Sequence, residues 1–230
     1  MTPHRVRKAA ILSERNKMAR MKKCKALLAD MLQNEHLRIL FTDEKLFIIE
    51  AEFNSQNHRV EHALHGRAIN RASHPQQVMV FGAITSTAHF CGSWSENQQR
   101  ILFGGNFEEA CASMDKIPFW KPVCTFQQDS APNHKAKIIQ AWCSGNFPRF
   151  ITSSKWPASP PDLNPLDYSV WGILQSRVQA RPHRNLKLLN KSLEVESAKL
   201  SPEYLRVTVE AFPKRLMDVV RNKSNRIEQL

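Results

Sequence analysis

Three aspartates stand at positions where a carboxylate needs an explanation. Asp43 ends the apolar run that begins at Leu37, and Asp129 ends the run that begins at Val123. Asp167 falls in the first turn of a segment with helical spacing, where the helix dipole favours a negative charge. A charge beside apolar residues is unfavourable unless it is paired or bound to a cation. Each position therefore predicts a partner for its carboxylate.

Together, the three carboxylates predict a site for hard divalent cations. If the two strands are neighbours and the helix packs on the same sheet, Asp43, Asp129 and Asp167 converge. An all-oxygen site suits Mg²⁺ or Mn²⁺ rather than zinc. Two such ions roughly 4 Å apart stabilise the attacking and leaving oxygens of a phosphoryl displacement. Taken singly, each aspartate is also explained by a turn or a helix start, so convergence is what distinguishes the two interpretations.

The elements that must position these residues are strands followed by helices. The predicted strands are residues 37–42, 45–52, 77–85, 123–128 and 150–152, the first three joined by hairpins. The predicted helices are residues 108–114, 135–143 and 166–178, with further helices in the last fifty residues and a helix start at Ser201. Four prolines mark residues 156–165 as a loop. This order predicts a mixed α/β domain.

The charge balance points to a polyanionic partner. The 230 residues contain 33 Lys and Arg against 21 Asp and Glu, a formal charge of +12. Such an excess favours nucleic acid over an anionic membrane. No stretch of about 18 apolar residues occurs, and the N-terminus lacks the apolar core of a signal peptide. We therefore expect a soluble, intracellular protein with no membrane partner and no small-molecule substrate.

Residues 1–36 form a basic segment of helical character, which we predict to be a linker preceding the main domain of residues 37–230. Its basic side chains are candidates for phosphate contacts, although a solvated helix face explains them equally well. Only their position relative to the catalytic residues distinguishes the two. The candidates in this segment are Arg15, Lys17, Arg20, Lys22 and Lys23.

Other residues that bind metals or stack on bases have simpler structural explanations. The five cysteines contain no C-x-x-C pair and are expected to be reduced core residues. His58, His62 and His65 are expected to be solvated loop residues rather than zinc ligands. Asp162 is expected to bond the backbone of its own turn. The tryptophans expected in the core or an interface are Trp142, Trp156 and Trp171.

Three ordered sequence blocks surround the three aspartates. They are TDEKLF (residues 42–47), FQQDSAPNH (126–134) and PDLNPLDY (161–168), the last followed by Trp171 and Gly172. These blocks resemble the mariner superfamily of DNA transposases. The 37 residues between Asp129 and Asp167 resemble the branch of that superfamily whose third carboxylate is Asp rather than Glu. The resemblance covers residues 37–230.

The resemblance implies an enzyme with a ribonuclease H-like fold, a mixed sheet flanked by helices. In it Asp43, Asp129 and Asp167 hold two Mg²⁺ or Mn²⁺ ions. Water first hydrolyses a DNA strand at the transposon end, and the freed 3′-hydroxyl then attacks target DNA. Double-stranded DNA as partner, a homodimer that joins two transposon ends and a nuclear location follow from the same resemblance. Further candidates for DNA contact within the blocks are Lys45, Asn133 and His134.

The chain also departs from the family pattern. Ser130 stands where the family usually has Asn, and Pro160 where it usually has Ser; neither position supplies a metal ligand. Family members carry two helix-turn-helix modules ahead of the catalytic domain, for which residues 1–36 are too short. We therefore expect a truncated copy, an internally initiated product or a partial gene model, without the modules that recognise transposon ends.

Two other functions stay open at this point. A truncated derivative can bind DNA, or pair with a full-length transposase, without productive catalysis. A general ribonuclease H-like nuclease for RNA:DNA hybrids has the same metal chemistry, but the sequence blocks give it no support.

Overall fold

The computed structural model describes most of residues 37–230 and part of the basic segment. The described residues are 12–50, 76–87, 89–93, 125–129, 131, 133–157 and 162–224. Several predictions therefore lie outside the described residues. These are the helix at 108–114, the loop histidines at positions 58, 62 and 65, and the burial of the cysteines at positions 91, 111 and 124.

Five strands form one mixed sheet. They are β1 (Ile39–Ile48), β2 (Gln77–Ile84), β3 (His89–Ser93), β4 (Thr125–Gln127) and β5 (Arg149–Ile151). The strand order is β3-β2-β1-β4-β5. Strands β1, β2 and β3 pair antiparallel, whereas β4 runs parallel to both β1 and β5. The long central strand β1 thus joins an antiparallel half of the sheet to a parallel half, which confirms the mixed α/β prediction.

Strand β1 is a single strand where we predicted two. The prediction placed strands at 37–42 and 45–52 with a hairpin between them. Instead, the antiparallel register with β2 runs unbroken from Phe41 opposite Ile84 to Ile48 opposite Gln77. The charged residues 43–45 continue this ladder, because pairing along a neighbouring strand outweighs the local turn preference of polar residues. Asp43 therefore lies in the middle of β1, and the prediction that it ends a strand was wrong.

Five α-helices complete the described structure. They are α1 (Glu14–Asp30), α2 (Lys137–Asn146), α3 (Trp171–Val178), α4 (Leu186–Ala198) and α5 (Pro202–Arg221). The predicted helix start at Ser201 is confirmed, since its side chain accepts a hydrogen bond from the backbone N–H of Tyr204 at 3.1 Å. None of the described helices has an apolar stretch long enough to cross a bilayer.

The core lies between β1 and the helices that cover one face of the sheet. Side chains alternate along a strand, so Phe41, Asp43 and Phe47 share one face of β1. Phe41 packs edge-on against Phe212 of α5 with ring centroids 4.9 Å apart, and Phe47 packs against Trp171 of α3 at 6.0 Å. Helices α3 and α5 thus cover the face of the sheet that carries Asp43.

The basic N-terminal segment is helical over Glu14–Asp30 and is packed onto this core. Helix α1 lies against α5 and buries Cys24 and Leu27 in the same hydrophobic cluster as Phe212. Cys24 and Cys143 are buried free thiols, as predicted. The domain boundary at residue 36 stays a prediction, although α1 shares the core of the main domain.

Candidate active site

Strand pairing brings Asp43 and Asp129 side by side. Ile39 pairs with Thr125 and Phe41 with Gln127 in the parallel register of β1 and β4. Asp43 and Asp129 each follow this last pair by two residues, on strands that lie about 4.8 Å apart. Thr42 strengthens the junction, because its hydroxyl donates to the carbonyl of Gln127 at 2.8 Å. The two carboxylates are therefore neighbours at the same level of the sheet.

Asp167 reaches the same level through a loop anchored to β1. The Asn164 amide donates to the backbone carbonyl of Thr42 at 3.0 Å, and its Oδ1 accepts the backbone N–H of Leu166 at 3.1 Å. Residues Leu166–Val170 then form a π-helical turn, in which the N–H of Trp171 bonds the carbonyl of Leu166. We predicted an ordinary α-helical first turn here. The wider turn is a local adjustment often found at functional sites.

The electrostatics show that the three aspartates interact. Burial and the neighbouring Asp167 raise the pKa of Asp43 to about 7, with a smaller contribution from Asp129. Burial raises the pKa of Asp167 to about 6; the charge of Asp129 adds to this, while Lys45 and a hydrogen bond with Asp43 oppose it. Like charges raise one another's pKa values only when they are close and poorly screened. Asp43, Asp129 and Asp167 are thus close enough to influence one another's pKa values, and their role as a shared set of metal ligands stays a prediction.

Asp129 is held by two donors from the residues that follow it. The backbone N–H of Ala131 donates to Asp129 Oδ1 at 3.0 Å, and the Nδ1–H of His134 donates to the same oxygen at 2.5 Å. Burial raises the pKa of Asp129, but these hydrogen bonds outweigh it and hold the pKa below its usual value. The Asp129 side chain is 41% exposed. Because its pKa is lowered, Asp129 stays ionised.

A fourth carboxylate, Glu44, follows Asp43 on the opposite face of β1 and is close enough to interact electrostatically with Asp43 and Asp129, which the sequence did not predict. Burial raises its pKa to about 7, although nearby His134 opposes the shift. His134 Nε2 lies 3.9 Å from Glu44 Oε1. Burial would lower the pKa of His134, but Asp129 and Glu44 together raise it. No sequence signal places His134 beside Glu44, because the two are ninety positions apart along the chain.

Trp171 also takes part in the site. It was predicted to be a core or interface residue, and its ring is indeed buried, with 1% exposed. Its indole Nε1–H, however, donates to Asp43 Oδ2 at 2.6 Å. Trp171 is therefore a core residue that also donates a hydrogen bond to a carboxylate of the candidate site. Helical periodicity alone does not reveal this combination.

The side chains fit divalent cations in type and charge. The carboxylate cluster, which we define as Asp43, Asp129 and Asp167, offers only oxygen ligands, as Mg²⁺ and Mn²⁺ prefer. Burial is the main cause of the raised pKa values of Asp43 and Asp167, whereas hydrogen bonds keep Asp129 ionised. Among the described residues, no three acidic, histidine or cysteine side chains already surround one point closely enough to hold an ion. The cluster therefore fits the ions chemically but is not preformed as a closed shell.

The predicted DNA-contacting residues have different surroundings. Arg15 and Lys22 are exposed on α1, whereas Lys17 pairs with Glu14 at 2.7 Å. Lys23 donates to the backbone carbonyls of residues 153 and 156. Lys45 is half-buried, and its positive charge lowers the pKa of Asp167. His134 holds Asp129, and Asn133 lies in a short 3-10 turn, Asn133–Lys135.

Arg20 is not available for a phosphate, and that prediction was wrong. Its guanidinium is 2% exposed and bonds both carboxylate oxygens of Asp162, at 2.7 and 2.9 Å. Asp162 has the structural role that was expected, but its partner is Arg20 of α1 rather than the backbone of its own turn. A pattern of basic residues on a helix cannot show which one faces inward when the partner lies 142 positions away.

The chain is similar in sequence to three transposases. No protein family model matches the chain. Its sequence is 24% identical over 229 residues to the Tc3 transposase of Caenorhabditis elegans, covering 97% of the chain and 66% of that relative. It is 25% identical over 223 residues to the Tc1 transposase of the same organism, covering 93% and 78%. The Tcb1 transposase of Caenorhabditis briggsae is 26% identical over 98 residues, 43% of the chain and 34% of that relative. The chain thus spans less than two thirds of two of these relatives.

Solved structures show the same fold. The catalytic domain of Mos1 mariner transposase matches with a TM-score of 0.67 at 18% identity, over 99% of the chain and all of that domain. The Mos1 strand transfer complex matches with a TM-score of 0.80 at 16% identity, over 99% of the chain and 68% of the Mos1 chain. The Mos1 catalytic domain has also been determined with Mn, at a TM-score of 0.70 and 17% identity over 96% of the chain and all of that domain. The chain is therefore similar in sequence to the Tc1 and Tc3 transposases, and it has the ribonuclease H-like fold of the Mos1 catalytic domain.

Proposed function

We propose that this chain is the catalytic part of a DNA transposase, which cuts DNA at transposon ends and joins the freed ends to target DNA with the help of divalent metal ions. The observation that carries the proposal is the convergence of Asp43, Asp129 and Asp167 from two neighbouring strands and one helix. The relationship to Tc1 and Tc3 transposases supports it. The formal charge of +12 suits a DNA substrate.

Asp43, Asp129 and Asp167 are the residues that would hold Mg²⁺ or Mn²⁺, and we propose two ions. Ions bound there would activate the attacking oxygen and stabilise the leaving oxygen of a phosphodiester. Cleavage and strand transfer differ only in the nucleophile, which is water in the first step and a 3′-hydroxyl in the second. His134 and the N–H of Ala131 keep Asp129 ionised and oriented, so one ligand is ready before any cation binds.

The proposed partners are double-stranded DNA and a second copy of the chain. Arg15 and Lys22 are exposed on α1 and are the best placed of the predicted residues for phosphate contacts. A homodimer follows from the need to hold two transposon ends together. We also propose that the protein acts in the nucleus, where its DNA substrate lies.

A plasmid nicking assay tests the proposal. The wild-type chain should convert supercoiled plasmid to nicked circles in Mg²⁺ or Mn²⁺ and not in EDTA, whereas Asp129→Ala should not. Asp30→Ala is a matched control, because it removes an exposed carboxylate from helix α1. Equal nicking by wild type and Asp129→Ala would overturn the proposal. Preference for an RNA:DNA hybrid over duplex DNA would instead indicate a general nuclease.

One observation favours a second function, a DNA-binding or dimerising derivative without productive catalysis. Among the described residues, no three potential ligands already surround a single point. If the cluster cannot close around a cation, the chain should bind DNA in a salt-dependent way and yet show no nicking in either metal. Binding that weakens steeply with salt, together with no nicking at any metal concentration, would favour this function over the first.

A further inference from the structure

We propose that Trp171 is a positioning residue for Asp43, and that Gly82 is kept without a side chain to admit its indole ring. This inference rests on the proposed function, because it assigns a role in preparing one of the proposed metal ligands. None of the sequence blocks predicts it, since Trp171 was expected to be a core or interface residue.

The contact between Trp171 and Asp43 is short and enclosed. The indole Nε1–H donates to Asp43 Oδ2 at 2.6 Å, and an indole nitrogen can only donate. The ring is 1% exposed and packs edge-on against Phe47, with centroids 6.0 Å apart. Because the ring is packed on all sides, the donor cannot turn away to water. The hydrogen bond therefore fixes the orientation of the Asp43 carboxylate.

Gly82 makes room for this arrangement. It lies on β2 directly opposite Asp43 in the antiparallel register. A Cβ atom at Gly82 would lie 2.7 Å from Cη2 and 2.9 Å from Cζ2 of Trp171, and 3.0 Å from Cδ2 of Leu166. Such approaches are closer than van der Waals contact allows, so any larger residue would push the indole away from the sheet. The missing side chain at position 82 and the indole at position 171 thus form one packing unit.

The hydrogen bond engages one oxygen of the Asp43 carboxylate, Oδ2. A donor on one oxygen orients a metal-binding carboxylate, so the indole would set the direction in which Asp43 presents itself to a cation. Trp171 follows Asp167 by four residues, at the end of the π-helical turn that carries Asp167. One short helical segment therefore supplies both a carboxylate of the cluster and the group that orients another.

Trp171→Phe tests the proposal, with Trp156→Phe as the matched control. Phe keeps an aromatic ring and loses only the N–H donor and some ring volume. Trp156 is similarly buried, at 5% exposed, and stacks on Phe212 away from the cluster. We expect Trp171→Phe to raise the Mg²⁺ concentration for half-maximal nicking by about 10-fold or more, and Trp156→Phe to leave it unchanged at a similar thermal stability.

A spectroscopic measurement separates positioning from mere packing. In a ¹H–¹⁵N spectrum of the wild-type chain, the indole N–H signal that disappears in Trp171→Phe should lie far downfield and shift on addition of Mg²⁺. Gly82→Ala should change the same signal and the same Mg²⁺ requirement. An indole signal that ignores Mg²⁺, with an unchanged metal requirement in an active Trp171→Phe, would overturn the inference. A wild-type chain that shows no metal-dependent nicking would overturn the proposed function instead, while the indole signal still reports on the contact.

Discussion

Two regions of the molecule contain buried carboxylates, and the charges that surround these carboxylates differ. Asp162 lies 8% exposed against the guanidinium of Arg20, which bonds both of its oxygens at 2.7 and 2.9 Å. Only five positions further along the chain, Asp167 joins Asp43 in a cluster where burial, reinforced by a neighbouring carboxylate in each case, raises the pKa of both. The first region is neutralised within the protein, and the second is left with excess negative charge.

This difference separates a structural carboxylate from a functional one. A paired buried charge is satisfied once the chain has folded, so removing either partner harms the fold. Like charges held together oppose folding and persist where another role requires them, as perturbed groups at functional sites do. The two regions should therefore respond differently to mutation and to metal.

The largest expected effect is on activity in the carboxylate cluster. Asp43→Asn and Asp167→Asn each should lower metal-dependent nicking by about 10³-fold, since a metal supplies several kcal/mol of transition-state stabilisation. Their melting temperatures in EDTA should equal or exceed that of wild type, because like-charge repulsion is removed. Nicking rates and thermal unfolding of the same preparations check both parts. A variant that loses activity only because it unfolds would contradict the comparison.

The next effect is on stability at the buried pair. Arg20→Met should lower the free energy of unfolding by about 3–5 kcal/mol, because it leaves Asp162 buried without its partner. Urea unfolding measures the loss. Nicking per folded molecule should stay within a few fold of wild type.

The double variant Arg20→Met/Asp162→Leu is the matched control for this loss. It removes both charges, so it should recover much of the lost stability. If the double variant is no more stable than Arg20→Met, the stability lost in Arg20→Met does not come from leaving the Asp162 carboxylate without a charged partner.

Asp43 and Asp167 should make the stability of the protein depend on pH. The folded-state pKa of Asp43 is raised to about 7 and that of Asp167 to about 6, so the folded state binds more protons than the unfolded state above pH 4. Their contribution to stability is complete below that pH and is lost as the pH rises to 7. Without metal, wild type should therefore lose stability relative to Asp43→Asn/Asp167→Asn across this window.

Metal should reverse this trend. Ionised carboxylates bind the cation, so stabilisation by Mg²⁺ should grow from pH 5 to pH 7.5 and reach about 2.7 kcal/mol at 100 times Kd. Thermal unfolding with and without Mg²⁺ at the two pH values measures it. Arg20→Met should respond to Mg²⁺ as wild type does, and a response as large in Asp43→Asn/Asp167→Asn would place the metal elsewhere.

The smallest effect is expected at an exposed pair between an arginine and a carboxylate. Arg149 bonds Glu35 at 2.5 Å, but 62% of the Arg149 side chain is exposed. Arg149→Met should change the free energy of unfolding by less than about 1 kcal/mol, since water and salt screen exposed pairs. Urea unfolding compares it directly with Arg20→Met. A loss as large as that of Arg20→Met would mean that burial does not govern the difference between ion pairs in this protein.

The sequence by itself determined the type of fold and the three central carboxylates. The signals for them are local, because each can be recognised within a short stretch of consecutive residues. They are the apolar runs, the helical spacing around Asp167 and the rarity of charges beside apolar residues. The same signals, with the motif blocks, predicted that the aspartates converge. They failed at Asp43 itself, which was assigned to a strand end, because only pairing with β2 shows that β1 continues.

Only the tertiary structure decided what surrounds those carboxylates. Arg20 faces Asp162 across 142 positions and Trp171 faces Asp43 across 128, so no local pattern reports either contact. The sequence did not predict that Glu44 lies near the three aspartates or that Arg20 is buried away from the predicted DNA-binding surface. Both findings have the same physical reason. The energy of a charged or polar side chain depends on its partners and on its burial, and both are set by segments that are remote in sequence and adjacent only after folding.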